Sequence, residues 1–600
     1  MADRAWRPDG PVLGVSADFH DAAAALVVDG AVVAAAEEER FTRRKHEPSL
    51  PVNAMAWCLE FADLAPGDLG AVVFHEKPFT AYERLLATHA RVGPRGFRQL
   101  SAAVRSWTRS KLWIAARIER ALATIGPGRP PVRFCEHHLS HAAAAFLPSP
   151  FDRAAILTVD GVGEWATTSI GVGGPDGVRL VEELRFPDSL GLFYSALTAQ
   201  CGFEVNDGEY KLMGLAPYGR REYLEQLRSV CRIGDDGSVH LDQRYFSFRS
   251  GRRMGSARLD ELLGGPPRSA GAPLEQRHAD LAASCQALIE EAMERLARRA
   301  RETTGEDHLC LAGGVALNCV AVRRLTEAGG AGPVWVQPAA GDAGSALGAA
   351  LWGWSLVGEP PRRSAAPDGM SGAALGPGYG ADAVAEWLTS AGVDSLRLPD
   401  AEERCRLVAD RIAEGAVVGW FEGRMEFGPR ALGHRSILAD PRDPGAVVRI
   451  NERVKGREGF RPFAPSVLAE RAAEIFDLEG ERPYMTVTAG VRSAGAPVGG
   501  GASFAERLAS VRSDLPACTH VDGSARVQTV DPERHPAFHR LLVAFERRTG
   551  CPVLLNTSFN RAGEPIVRTP ADALACARAA RLDLLVLEES VVTHPAAGGS

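Results

Sequence analysis

His137 and His141 stand four residues apart in Glu136-His137-His138-Leu139-Ser140-His141, ahead of a run of alanines. If Leu139 to Phe146 is helical, as the alanines favour, that spacing puts both imidazoles on one face. Two imidazoles so placed are a common way to hold a divalent metal. A pair of core histidines would leave the same spacing, so further ligands decide the matter. Asp160 closes the apolar run Ala154 to Val159, which reads as a buried strand. A carboxylate at a strand's C-terminal mouth stands where α/β proteins place ligands. Asp342, in Gly341-Asp342-Ala343-Gly344, enters a small-residue helix and is a candidate third or fourth ligand.

Other stretches carry ligand-binding chemistry of a different kind. Asp207-Gly208-Glu209-Tyr210-Lys211 sets an acid and a lysine two apart among glycines, as a shaped ligand loop does. Ala312-Gly313-Gly314-Val315-Ala316-Leu317-Asn318 follows an apolar strand. Such a turn lets backbone N–H groups approach a phosphate or adenosine closely, although it has neither Walker A nor Rossmann spacing. Farther on, Arg424, Arg430, Lys455, Arg457 and Arg461 recur among glycines, prolines and phenylalanines instead of lining one helix face. Convergent cations of that kind suit phosphate, with arginine supplying bidentate forks. The strand Pro552 to Leu555 ends in Asn556, Ser558 and Asn560, small hydrogen-bonding side chains that suit an oxyanion or carbamoyl amide and equally suit a turn.

The elements that must position these residues fall into a pattern. Pro11 to Ser16 is a strand leading into Ala17-Asp18-Phe19-His20-Asp21, followed by Ala23 to Val28, an Asp29-Gly30 turn and Ala31 to Ala36. Asp-Gly between apolar runs signals a hairpin. Ala154 to Phe186 repeats the order: strand, acidic turn, strand, glycine turn, strand. Two such lobes with acidic turns facing one cleft are the plan of the actin/hexokinase/Hsp70 (ASKHA) fold, and internal repetition governs the fold reading. The charged segment Glu37 to Pro48 follows the first hairpin, so Lys45 and His46 are within reach of that cleft. Arg91 to Arg120 is a basic, Trp-bearing helical stretch, read as an amphipathic helix packed on the body or as a lid or acceptor-binding insert. Residues 358–372, rich in Pro, Gly, Ser and Arg, read as a linker. The predicted organisation is 1–357, linker 358–372, and 373–600.

Six hundred residues exceed one core. A net charge of −7 gives no case for nucleic-acid or bilayer binding. The eleven cysteines are scattered, form no CxxC pair and are odd in number, which suits buried thiols in a reducing cytoplasm. No secretory h-region and no apolar run of about 18 residues stands out.

With these segments in view the chain resembles the NodU/antibiotic O-carbamoyltransferase family over nearly its whole length. The resemblance is carried by His137 to Ala143, Asp207 to Gly219, Ala312 to Asn318, Gly341 to Gly344, Gly423 to Asp440 with Arg461 to Val467, and Leu555 to Asn560. It implies an α/β protein with a duplicated, Kae-like ASKHA N-terminal domain followed by an α+β YrdC-like C-terminal domain. It also implies a two-step reaction. Carbamoyl phosphate and ATP (with Mg2+) give carbamoyl adenylate and pyrophosphate in the C-terminal domain, and the carbamoyl group then passes to an acceptor hydroxyl in the N-terminal one. By position, His137, His141, Asp160 and Asp342 match the family's ligands for Fe2+ or another divalent ion. Asp18 and His20 match the first acidic loop, with His20 the candidate base, and Lys45 and His46 line the same cleft. Gly161, Asp207, Glu209, Lys211, Gly313, Gly314 and Asn318 are the nucleotide-binding candidates. Arg424, Arg430, Lys455, Arg457, Arg461, Asn556, Ser558 and Asn560 are those for carbamoyl phosphate and ATP. The expected acceptor is a small-molecule hydroxyl, as in secondary metabolites, with no nucleic acid or membrane as partner. The motifs bind the donor and name neither the acceptor nor an oligomeric state. An ASKHA-type kinase or ATPase is the alternative, and it leaves the C-terminal arginines without a role. A tRNA- or nucleotide-binding module would need a broad basic face.

Overall fold

A computed structural model of the chain describes residues 10–93, 97–249, 253–327, 332–356, 367–495, 504–510, 513–593 and 595. The chain forms two compact units, Met1–Glu38 with His46–Gly369, and Glu39–Lys45 with Met370–Ser600. Most of the linker read at 358–372 lies outside the described residues. The segment Glu39–Lys45, assigned to the first domain by sequence position, packs within the second unit: Arg40 Nη2 donates to Gly428 O at 3.0 Å, and Arg43 donates to Ile566 O at 2.6 Å and Pro565 O at 2.8 Å.

The first unit holds two five-stranded sheets of one topology. In the first, β1 (Val12–Ser16) pairs antiparallel with β2 (Ala23–Val28), which pairs antiparallel with β3 (Ala31–Glu37); β4 (Ala71–Phe74) adds parallel to β1, and β5 (Val132–Phe134) parallel to β4. Next come the helix α1 (His137–Phe146), β6 (Ala154–Val159), β7 (Ala166–Gly174), β8 (Gly177–Arg185), the long helix α2 (Gln276–Thr304), β9 (Leu309–Ala312) and β10 (Val334–Val336). Here β6–β7 and β7–β8 are antiparallel while β6–β9 and β9–β10 are parallel. The hairpin unit read twice in the sequence is thus a duplicated fold of the actin/hexokinase type. Both first strands are fully buried and apolar but for Ser16 in β1 and Thr158 in β6, as suits a strand covered on both faces.

Helix α3 (Asp342–Ser355) is built from glycine, alanine and serine over most of its length and is buried almost throughout. A Cβ on Gly348 would stand 1.8 Å from Ser140 O of α1. Only glycine admits that approach, and it brings the first turn of α3 against the histidine face of α1.

The second unit is α+β, on an eight-stranded mixed sheet. Its centre is β11 (Val418–Phe421), β12 (Arg435–Ala439), β13 (Ala464–Leu468) and β14 (Val553–Ser558), with β12 antiparallel to both β11 and β14, and β14 antiparallel to β13. Alternation along β11 sends Val418 and Trp420 to one apolar cluster and Phe421 to another. The basic stretch is two helices, Phe97–Arg109 and Ile114–Ile125, joined by a 3-10 turn at Lys111–Trp113, with residues 94–96 outside the description. Among the described residues no helix is long and apolar enough to cross a membrane.

Candidate functional site

Four side chains of the first unit converge: His137, His141, Asp160 and Asp342 each offer a ligand atom within 4.8 Å of the others. Helix α1 supplies both imidazoles from one face, β6 delivers Asp160 at its mouth, and α3 brings Asp342 on its first turn. His137 Nε2 lies 3.1 Å from Asp160 Oδ2 and 3.7 Å from Asp342 Oδ1; His141 Nε2 lies 3.5 Å from Asp342 Oδ1. The two Nε2 atoms are only 3.2 Å apart. Two imidazole lone pairs so close repel unless a proton or a cation lies between them. The Nδ1 atoms of both rings are buried without a hydrogen-bond partner among the described residues. Two nitrogens and two carboxylates suit a first-row divalent ion better than Mg2+ or Ca2+, so the donor set fits the metal that the resemblance implies.

At His137, Asp160 and Asp342 burial opposes charge, and the pairing outweighs it. For His137, desolvation is overcome by the Asp160 hydrogen bond and the Asp342 charge, which raise it to about 9. Asp342, equally desolvated, is pulled down to about 2 by His20 and His141. Glu164 seats the start of α1 by accepting from His137 N at 3.0 Å. His75, beside this centre, is kept neutral by burial, with the His137 charge acting in the same direction.

The turn after β9 completes the centre. Gly313 has φ +87°, and a Cβ there would stand 2.3 Å from Val159 O. Gly314 N donates to Asp160 Oδ1 at 2.9 Å, so one carboxylate oxygen is anchored while the other faces the histidines.

The acidic loop after β1 lies against the same centre. His20 Nε2 is 3.7 Å from Asp342 Oδ2, and Nδ1 is 3.0 Å from Asp21 Oδ2. Desolvation notwithstanding, Asp342 and Asp21 raise His20 to about 9. His46 bridges two carboxylates, Nδ1 to Asp21 Oδ1 at 2.7 Å and Nε2 to Asp207 Oδ1 at 3.1 Å. Asp18, Asp21 and His46 all have positive φ (69°, 51° and 54°), backbone strain of the kind that gathers at ligand sites. Asp18 is held by Arg117 from the second helix of the basic stretch.

Of the remaining nucleotide candidates, Gly161 has open space where a Cβ would point. Glu209 accepts from Ser195 Oγ at 2.7 Å and Asn206 N at 3.0 Å, and the Lys211 ammonium lies 5.8 Å from the centre of the Phe203 ring. Asn318 is 8 % exposed and forms a reciprocal amide pair with Gln286 at 3.0 and 3.1 Å, which makes it a fixture of the turn.

The second unit gathers cations around one lysine. Lys455 Nζ faces four acceptors: Ser558 O at 2.6 Å, Ser558 Oγ at 3.1 Å, Asn560 Oδ1 at 2.7 Å and Asn560 O at 3.0 Å. Burial pushes this ammonium well below its usual range, and Arg457, Arg461 and Lys45 act in the same direction. Lys45, expected at the first cleft, is therefore part of this cluster. Arg457 lies 3.9 Å over the Phe463 ring and donates to Asn451 Oδ1; Arg461 lies 3.7 Å from Glu458. Arg430 is half-buried on the loop between β11 and β12. Two candidates have other employment. Arg424 donates to the carbonyls of Gly376 and Leu375, and Asn556 is buried in a network with Ser466, Gln528 and the Ala431 carbonyl.

Residues 11–351 match the family described as Carbamoyltransferase N-terminus, and residues 409–594 that described as Carbamoyltransferase C-terminus. The chain belongs to the carbamoyltransferase family. The chain is 47% identical over 595 residues to the uncharacterized protein sll1178 of Synechocystis sp., covering 98% of this chain and 97% of that one. It is 39% identical to nodulation protein NolNO of Sinorhizobium fredii, over 95% of this chain and 78% of that one. It is 34% identical over 302 residues to the 3'-hydroxymethylcephem-O-carbamoyltransferase of Amycolatopsis lactamdurans, half of each chain (50% and 52%). Sequence reasoning passed over Asp21, Arg117 and Glu164 as site residues. Asp21 had a signal, since it directly follows His20 in an acidic turn. Arg117 and Glu164 had none, because each acts on a partner 99 or 27 positions away.

Proposed function

We propose that the protein is an ATP-dependent O-carbamoyltransferase that makes carbamoyl adenylate in its second unit and transfers the carbamoyl group in its first. The observation that carries the reading is the four-residue centre of His137, His141, Asp160 and Asp342, in a chain of the carbamoyltransferase family. In the first half-reaction carbamoyl phosphate loses phosphate to water, and the resulting carbamate oxygen attacks the α-phosphorus of ATP with departure of pyrophosphate, whose charge Mg2+ screens. Lys45, Arg457 and Arg461 are the cations suited to hold the phosphate groups, with Lys455 positioning Ser558 and Asn560 beside them.

In the second half-reaction the acceptor hydroxyl attacks the carbamoyl carbon and AMP leaves. A carbamoyl group is a weak electrophile because nitrogen donates into its carbonyl, so the adenylate supplies the leaving group. A divalent ion held by His137, His141, Asp160 and Asp342, Fe2+ by the resemblance, would supply Lewis acidity and orientation. His20 takes the hydroxyl proton on Nε2, while Asp21 holds Nδ1. A cation bound at Asp342 would offset one of the charges that raise His20 and so favour the neutral form a base requires. The Gly313–Gly314 turn and the Asp207–Lys211 loop receive the adenosine. The name of the Amycolatopsis relative supports a small-molecule hydroxyl as acceptor.

The metal-loaded enzyme is incubated with ATP, Mg2+ and carbamoyl phosphate, and products are resolved chromatographically. Pyrophosphate that depends on carbamoyl phosphate is the expected outcome. Release of ADP in its place would point to the kinase alternative and sink the adenylate.

A further inference from the structure

Three separate segments of the first unit meet at His46. Its Nδ1 is 2.7 Å from Asp21 Oδ1, and its Nε2 is 3.1 Å from Asp207 Oδ1. A carboxylate only accepts hydrogen bonds, so a ring with a proton on each nitrogen is what fits between two of them. All three side chains are half-buried, where such charge-assisted bonds are stronger than in open water. Asp21, His46 and Asn206, the neighbour of Asp207, all have positive φ (51°, 54° and 70°). Each segment thus carries a strained backbone at the joint, and strain of that kind persists only where the surrounding contacts over-determine it.

The joint reaches the candidate base. Asp21 turns both oxygens to imidazoles, Oδ1 to His46 and Oδ2 to His20 Nδ1 at 3.0 Å. Burial opposes the Asp21 charge, and hydrogen bonds from His20 and His46 overcome it and hold the carboxyl well below its usual range. A carboxylate held at both oxygens cannot rotate, so His46 fixes the plane from which Asp21 holds His20, and with it the direction of His20 Nε2. The backbone joins the same two segments, with Ala22 N donating to Glu47 O at 3.0 Å and Asp18 N to Pro48 O at 2.7 Å. On the far side Asp207 opens the ligand loop, which Glu209 anchors by accepting from Ser195 Oγ at 2.7 Å and from Asn206 N at 3.0 Å.

We propose that His46 is a positioning residue that clamps the loop carrying His20 to the loop that receives the adenosine, so that a nucleotide ordering the second loop also orders the first. His46 then acts through Asp21 and Asp207 and takes no proton from the acceptor. The proposal rests on the reading of the Gly313–Gly314 turn and the ligand loop opened by Asp207 as the nucleotide site.

The test uses AMP as probe on the full chain, with millisecond hydrogen exchange read by mass spectrometry on peptides spanning residues 18–22, 206–211 and 313–318. In the wild type AMP is expected to slow exchange in all three, with an effect on 18–22 of the roughly 5–150-fold size usual for coupled sites. His46→Asn keeps a residue that adopts positive φ readily and is too short to span both carboxylates. In that variant AMP is expected to slow exchange at 206–211 and 313–318 and to leave 18–22 unchanged. Asp207→Ala breaks the other side of the bridge and is expected to do the same at 18–22 and 313–318; it also serves if His46→Asn does not fold. Protection of 18–22 that survives in either folded variant, or that is missing from a wild type whose 313–318 is protected, overturns the clamp and leaves the nucleotide site standing. A folded wild type in which AMP slows none of the three peptides overturns the nucleotide site and the clamp together.

Discussion

Replacing Glu588 with glutamine is expected to stabilise the second unit above neutral pH and to remove a slope from its stability. Glu588 is 9 % exposed and follows the strand Leu584–Leu587; its Oε1 accepts from Gly423 N at 2.9 Å. Burial, and then repulsion from Glu422, raise its carboxyl from the ordinary 4.5 to about 7. With the folded value above the unfolded one, the unfolded chain binds fewer protons, so stability is full below pH 4.5 and falls as pH rises through 7. The loss runs at about 1.4 kcal/mol per pH unit. Over the interval from 4.5 to about 7 it reaches about 3 kcal/mol. Glutamine retains the acceptor for Gly423 and carries no proton to lose. The two-unit chain has no single unfolding transition. The assay is therefore urea-dependent hydrogen exchange read by mass spectrometry on peptides spanning Val418–Phe421 and Leu584–Leu587, at pH 5, 6, 7 and 8. Wild type and variant should agree near pH 4.5 and part by about 3 kcal/mol at pH 8. Parallel curves across that range would refute the argument that the carboxyl is buried uncharged.

The other expectations concern the two sites. His141→Ala and Asp160→Asn should each lose the bound divalent ion by elemental analysis while the fold persists by circular dichroism; a full complement of metal in both would remove them from the ligand set. His20→Asn should slow transfer from supplied carbamoyl adenylate by about 10²–10⁴-fold, the usual worth of a general base, and leave pyrophosphate formation untouched; equal losses in both steps would make its role structural. Lys455→Met should abolish carbamoyl-phosphate-dependent pyrophosphate release and spare transfer from supplied adenylate. Gly348→Leu should drive α3 from α1 and lower metal occupancy; undiminished occupancy would mean the helices can part without moving Asp342.

The convergence of His137, His141, Asp160 and Asp342 was legible in the sequence because these residues announce themselves locally: two histidines at helical spacing, one aspartate ending an apolar strand, one opening a small-residue helix. The duplication was legible for the same reason, since each lobe repeats a strand, an acidic turn and a glycine turn within some thirty residues. What could not be read was the capture of ligand-type side chains by distant neighbours. Asn318 and Asn556 have the chemistry of binding residues and are held by Gln286 and by Ser466 and Gln528. A side-chain amide has the same identity whether its partner is a substrate or a buried glutamine. Nor does a charged segment declare which core it will cover. Glu39–Lys45 has no apolar periodicity, and its place in the second unit is set by carbonyls of Gly428, Pro565 and Ile566, several hundred positions away.

Asp160 uses one oxygen to accept from Gly314 N and the other to face the histidines. Gly314 has a single amide proton. A phosphate that claims it must release the carboxylate, which is then free to pivot about its own bond and meet a cation with either oxygen. On the proposed reading, occupancy of the glycine turn and grip on the ion would be coupled, and linkage would make the coupling reciprocal: whatever factor the nucleotide imposed on cation affinity, the cation would impose on nucleotide affinity.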